Sequence, residues 1–161
     1  MADLKITLQE SITLPNGNKE LLSNISTITG VNQVLRRTDT IATDFSGSGI
    51  EILRFVDSEE EQVAGSFIKQ DVKYLRITNL DTTNNVLIYL IDTNQEFVIF
   101  KLEPKKSLMF GNVDFNASQN GDYVVEGVWD PDYYSSFVYY NLIKAKAENA
   151  YSQIEYFVAS A

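Results

Sequence analysis

Apolar residues fall mainly at every second position along this chain. Leu4, Ile6 and Leu8 alternate with Lys5, Thr7 and Gln9, the signature of a strand with one face covered. A second short strand is predicted over Ser11 to Leu14. Pro15-Asn16-Gly17-Asn18 reads as a turn, because Pro15 ends the strand pattern and Gly17 accepts positive φ. From Leu21 to Thr29 the spacing of Leu22, Ile25 and Ile28 is ambiguous, but β-branched content and the following Gly30 favour strand then turn. Neither face of Val31 to Ala42 is cleanly apolar, so it reads as an edge strand, or as a helical turn followed by a strand. Asp44 to Gly49 is a Ser/Gly loop. Ile50 and Ile52 oppose Leu53 and Phe55, which suits a strand covered on both sides or one at an oligomer contact.

The acids of Asp57 to Gln62 repel one another and predict a solvated loop or a helix start. Lys73 to Asn79, Asn85 to Ile91 and Glu96 to Leu102 are three further strands. The polar connectors Leu80 to Asn84 and Asp92 to Asn94 have hairpin length, so the three read as a meander. Ile88, Leu90 and Phe97 to Leu102 are its predicted core. Pro104-Lys105-Lys106 turns the chain into a short strand, Ser107 to Phe110. Asp114 to Gly121 is turn-rich, and Tyr123 to Val128 alternates again before the hard turn Trp129-Asp130-Pro131-Asp132. Phe137 to Ala147 reads as a long strand in preference to a helix over Leu142 to Ala150, despite the good helix formers there. Ile154, Tyr156 and Val158 close the chain in a last strand.

Eight to ten short strands with little helix must bury their apolar faces sheet against sheet. The expected fold is all-β: a single antiparallel β-sandwich over residues 1–161, jelly-roll-like, with an up-and-down barrel as the alternative. Residues 1–10 are expected to be an N-terminal strand or an arm reaching a partner. A length of 161 residues suffices for one self-supporting domain.

Composition narrows the chemistry. The chain has neither His nor Cys, which removes thiol nucleophiles, imidazole acid–base catalysis, Cys/His zinc sites and disulfides. The net charge, 13 basic against 22 acidic residues, is −9 and opposes nucleic-acid binding. No apolar run is long enough to predict a membrane span, and the N-terminus lacks the apolar core of a signal peptide. No phosphate loop, dinucleotide fingerprint or nucleophile elbow is present around Gly47-Ser48-Gly49 or elsewhere. Lys106 and Ser107 are neighbours in an extended stretch and point to opposite faces, against a Ser-Lys pair. No cofactor is expected, and no catalytic or metal residue is assigned.

Weaker candidates each have an ordinary alternative. Asp130 and Asp132 beside Trp129, Tyr133 and Tyr134 suit a sugar site, but Asp-Pro-Asp is also turn chemistry. The loops Asp81 to Asn85, Asp92 to Asn94 and Asp114 to Asp122 offer calcium oxygens, yet such residues equally bond their own backbone in turns. Lys69, Lys73, Arg76, Lys101, Lys105 and Lys106 gather in the middle third. Arg76 and Lys101 are expected on neighbouring strands, as edge-protecting charges rather than a nucleic-acid platform. Arg36-Arg37 is expected to pair with acids of another subunit. The fullest signal is aromatic: Tyr133-Tyr134 and Tyr139-Tyr140 are consecutive, so one ring of each pair faces away from a shared core. Tyr and Trp suit protein contacts. Trp129, Tyr133, Tyr134, Tyr139 and Tyr140, with Leu4, Ile6 and Leu8, are the predicted protein interface, the alternative for the aromatic segment being that a thin sandwich uses it for its own two faces and edge packing.

Three stretches carry a family likeness: Met1 to Glu10 followed by Leu14-Pro15-Asn16-Gly17; Asp71 to Asp81, with its Lys-Tyr-Leu-Arg-Ile-Thr-Asn-Leu-Asp run; and Ile154 to Ala161. In these the chain resembles small β-rich virion structural proteins of marine tailed phages. The resemblance implies a capsid decoration (cement) protein that binds and stabilises the assembled head, or else a tail, neck or fibre-base component. A carbohydrate-binding module is the remaining alternative. It also implies a non-enzyme located in the virion and assembled in the host cytoplasm. The implied partners are the major capsid protein or other virion proteins, together with further copies of the chain, a trimer above all. The Tyr-rich stretch after Trp129 and the acidic Asp57 to Glu61 depart from that pattern.

Overall fold

The computed structural model of this chain describes residues 2–43, 49–111 and 140–161. Among these, eleven strands make three sheets. Strands β1 (Ala2–Thr13) and β2 (Lys19–Val31) form a two-stranded antiparallel ribbon. Strands β3 (Gln33–Ile41), β11 (Ser152–Ser160), β6 (Val72–Asn79) and β9 (Ser107–Gly111) form a four-stranded sheet in that order. Strands β5 (Ser66–Ile68), β4 (Ile50–Val56), β10 (Tyr140–Ala147), β7 (Val86–Asp92) and β8 (Phe97–Leu102) form a five-stranded sheet. Between the two larger sheets lies the main core, which includes Leu53, Phe67, Leu75, Ile77, Ile88, Leu90, Ile143, Ile154 and Tyr156. The all-β sandwich expected from alternation is therefore the fold.

Several details differ from the alternation reading. Strands β6 and β7 do not pair: Leu80 to Asn85 carries the chain from one sheet to the other, so the meander is replaced by a pair of crossings. A polar connector of this length serves a hairpin and an inter-sheet crossing equally well. Only β7 and β8 form the expected hairpin. Arg76 and Lys101 consequently lie in different sheets rather than on neighbouring strands. The two strands expected before Pro15 are a single strand, β1. A short unanticipated strand, β5, pairs parallel to β4 at the sheet edge, so the sandwich is not wholly antiparallel. Strand β8 is the opposite edge, and there Phe97, Val98 and Ile99 are exposed instead of core, while Leu102 is buried. Phe97 keeps an edge-on contact with Tyr89 across the outer face, at a centroid separation of 5.9 Å.

Local irregularity explains the double-sided pattern of β4. Ile143 and Lys144 pair with Leu53 and Glu51, so Ile52 is an extra residue, a bulge. It breaks the period of two and lets adjacent Ile52 and Leu53 both enter the core. Strand β10 confirms the extended reading over the helical one: Ile143, Ala145 and Ala147 are fully buried at alternate positions. Strand β3 is an edge strand, as expected.

The inter-sheet crossings are tied at one residue. Asn79 is fully buried. Its Nδ2 donates to the carbonyls of Asn84 (2.8 Å) and Leu102 (3.0 Å), and its Oδ1 accepts from the backbone N–H of Asp81 (3.0 Å). A single amide thus satisfies backbone groups of the β6–β7 crossing and of the last residue of β8.

Candidate interaction surface

The β1–β2 ribbon turns at residues that sequence chemistry selects. Gly17 has φ +82° and its N–H donates to the Leu14 carbonyl at 2.9 Å, while Asn16 Oδ1 accepts from the Asn18 N–H at 3.0 Å. Register then fixes two faces, because directly opposed residues share one. The pairs Leu4/Ile28, Ile6/Ser26, Leu8/Asn24, Glu10/Leu22 and Ile12/Glu20 make the front face. Lys5/Thr27, Thr7/Ile25, Gln9/Ser23, Ser11/Leu21 and Thr13/Lys19 make the back.

The base of the front face is covered by the protein's own sandwich. Ile28, Val31, Tyr74 and Ala159 form a second buried cluster, against which Leu4, Ile6 and Phe157 pack. Tyr74, Phe157 and Ala159 belong to the outer face of the four-stranded sheet, because Leu75 and Val158 beside them point into the main core. Tyr74 and Phe157 meet edge-on, with centroids 5.8 Å apart. Lys73 Nζ donates to the Thr29 carbonyl at 3.0 Å and adds a polar tie.

Beyond that base the ribbon stands clear. Every side chain of Thr7 to Thr13 and of Pro15 to Thr27 is exposed. Leu8, Ile12, Leu21, Leu22 and Ile25 are between 44% and 71% exposed. At ~3.3 Å per residue the seven positions Thr7 to Thr13 extend about 20 Å. Leu8, Leu22 and Ile12 share the front face of the ribbon, and Leu21 and Ile25 share the back.

The outer face of the four-stranded sheet carries a second feature. Glu155 accepts from Arg36 Nη2 at 2.6 Å and from Arg76 Nη2 at 2.7 Å. Two guanidiniums share one carboxylate, so a positive charge is left over. Arg36 therefore pairs within its own chain, and Arg37 does likewise with Asp39 at 2.9 Å. The Arg36 contact, and to a smaller extent Arg76, holds the Glu155 carboxyl below its ordinary range. Tyr156, buried in the core, donates its hydroxyl to Asp39 at 2.7 Å, and burial first, then Asp39, pushes its pKa up.

The acidic loops are occupied with their own turns. Asp81 Oδ1 accepts from the N–H groups of Thr83 (2.8 Å) and Asn84 (3.0 Å), which hold that carboxyl far below its ordinary range. Asp92 Oδ1 accepts from the N–H groups of Asn94 and Glu96, each at 2.8 Å. Among the described residues, no group of three or more acidic side chains is placed to hold a metal ion. Both Asp81 and Glu155 titrate lower folded than unfolded. The stability they contribute is complete above the unfolded value, near pH 4, and is lost as pH falls through that value toward the folded one. Thermal unfolding should be level from about pH 7 to 5 and fall below about pH 4. Asp81→Asn should flatten that acid limb in a calorimetric pH series; an unchanged limb would contradict the assignment.

The basic residues are separately engaged. Lys69, itself buried, pairs with Asp57 at 2.8 Å, Lys101 pairs with Glu148 at 3.1 Å, and Lys105 Nζ donates to the Leu80 carbonyl. A shallow hollow of about 240 Å³ lies beside Arg54, Asp57, Glu61, Gln95 and Asn141.

Of the predicted interface residues, Leu4 and Ile6 pack on the protein's own sheet and Leu8 begins the uncovered stretch. Tyr140 is half-buried and packs against the main core. Trp129, Tyr133, Tyr134 and Tyr139, like Asp130, Asp132 and the Asp114 to Asp122 loop, lie outside the described residues. Sequence reasoning missed the uncovered residues of β2, Leu21, Leu22 and Ile25. Their shared strand could have been found by pairing outward from the Asn16-Gly17 turn. No family model, no curated protein and no solved structure matches the chain.

Proposed function

We propose that this protein acts by assembling with other proteins, as a virion structural protein of the capsid-decoration kind, and not by transforming a substrate. The observation that carries the reading is the β1–β2 ribbon, whose front face begins on the sandwich at Leu4, Ile6 and Ile28 and continues about 20 Å into solvent, where Leu8, Leu22 and Ile12 are exposed. A ribbon with uncovered Leu8, Ile12 and Leu22 is a liability in an isolated molecule and an asset in an assembly. Two further points support it. Setting β5 aside, the orders β3-β11-β6-β9 and β4-β10-β7-β8 follow the pattern of a jelly roll, an architecture used by viral capsid domains and also by lectins. That is an argument from analogy, since one fold hosts many functions. The likeness of Met1 to Glu10, Asp71 to Asp81 and Ile154 to Ala161 to virion proteins of tailed phages points the same way. Decoration strengthens a shell because binding only the assembled form shifts the balance toward it.

Electron cryo-microscopy of the purified particle with counted copies tests the reading. Hundreds of copies spread over the head are expected. A few or a dozen at one vertex would replace decoration with a neck, tail or fibre-base role, and absence from the particle would overturn the proposal.

A further inference from the structure

The occupant of the uncovered ribbon can be named from the surfaces themselves. We infer that the distal front face of β1–β2 docks on the outer face of the four-stranded sheet of a second copy of this chain. The inference rests on the reading of the ribbon as an assembly element, and it holds whether or not a shell is the final destination.

Continuity is the first argument. The base of this same stripe, Leu4, Ile6 and Ile28, already packs on the outer face of this same sheet, at Tyr74, Phe157 and Ala159. Leu8, Leu22 and Ile12 prolong the stripe with like chemistry and are exposed. The outer face also continues past the covered corner. Register places Arg36, Phe157, Arg76 and Met109 in one row, and Thr38, Glu155, Thr78 and Ser107 in the next. Val34 and Met109 on that face are about half exposed. From β3 to β9 the four strands span about 15 Å at ~4.8 Å spacing, a width the free ribbon can cross.

Charge is the second argument. The distal front face carries Glu10 and Glu20, whereas Lys5 and Lys19 lie on the back. None of these four makes an ion pair among the described residues. The sheet face offers Arg36 and Arg76 around a single Glu155, and so an unbalanced positive charge. An acidic, apolar ribbon face meets a basic sheet face with apolar residues at its rim, and such complementarity fixes register and partner. The basic back of the ribbon would be repelled there, so one orientation is selected.

Arm and receiving face are different surfaces, so the contact is either made twice across a two-fold axis or made once per copy in one direction. Repeated in one direction, it closes a ring or propagates a chain. Mixing variants tests this directly. The wild-type protein, without any particle present, should sediment as an oligomer at micromolar concentration. An arm variant, Leu8→Asp with Leu22→Asp, should fold with an unchanged circular dichroism spectrum, because both side chains are exposed. Its self-association should weaken roughly a hundredfold. A face variant, Arg36→Glu, should also be monomeric, with Met109→Asp as a second face variant that leaves the Arg36–Glu155 pair intact. Mixed one to one, arm and face variants should form a two-chain complex, since each supplies the surface the other lacks. A monomeric wild type, an arm variant that still associates, or folded monomeric variants that fail to complement each other would each overturn the inference. Binding to heads is read separately. Self-association without head binding would sink the decoration reading and leave this one standing, and head binding by a monomer would do the reverse.

Discussion

Asn79→Ala should lower stability by about 3 kcal/mol, because the buried bond to the Leu102 carbonyl and the half-buried bonds to the Asn84 carbonyl and the Asp81 N–H are lost at roughly 1 kcal/mol each. For a chain of this size that corresponds to a fall in melting temperature of roughly 6–12 °C. The cost arises where the chain changes sheets. The Asn84 and Leu102 carbonyls and the Asp81 N–H lie at the ends of the crossings after β6 and after β8, and the Asn79 side chain bonds all three. The Asn79 backbone also accepts from Lys105 N–H at 3.0 Å and donates to the Lys106 carbonyl at 2.9 Å. Loss of the side chain therefore loosens both crossings together. Thr82→Ala, an exposed change in the same connector, is the control and should shift the transition by less than about 2 °C. Equal melting curves for the two variants would show that Asn79 does not organise the crossings.

Ile28→Ala should release the ribbon while sparing the sandwich. Ile28 is 1% exposed, and its cluster with Val31, Tyr74 and Ala159 is separate from the main core. Truncating a buried Ile costs about 2–5 kcal/mol. A loss of about 3 kcal/mol of docking corresponds to a rise of roughly a hundredfold in amide exchange across β1 and β2. Strands β6, β7, β10 and β11 should keep their protection, because they close on the other core. Ile143→Ala, in the main core, should instead lower protection throughout. Hydrogen exchange resolved by segment separates the outcomes. Uniform deprotection by Ile28→Ala would mean that ribbon and sandwich unfold as one unit. The same variant should weaken assembly, since the free end of the ribbon is aimed by its docked base.

The two variants mark a boundary between what was legible in the residues and what was not. Strand identity was legible. Alternation at Leu4 to Leu8, Lys73 to Asn79, Asn85 to Ile91 and Ile154 to Val158 places all of these in strands, and β-branched and aromatic neighbours decide β10 against a helix. The Pro15 to Asn18 turn was legible too, because positive φ at Gly17 is a local requirement. Partnership was not. Asn79 sits at a strand end like any turn-forming amide, and nothing local distinguishes a connector that folds back from one that crosses between sheets. Leu8 follows Leu4 and Ile6 with the same period, yet two are covered and one is not. The difference depends on where the sheet beneath them stops.

Local chemistry thus settled the class of this protein: the period of two, the turn residues, the acidic balance and the lack of His and Cys belong to short windows of chain or to composition. The pairing of Arg36 with a carboxylate 119 residues away, the sharing of Glu155, the bulge at Ile52 and the two-sided ribbon with one end uncovered arose only when distant strands met. Alternation says which side chains share a face. It is silent on what that face will touch, because contact is a property of the packed molecule, and the surfaces that assemble are those that packing leaves over.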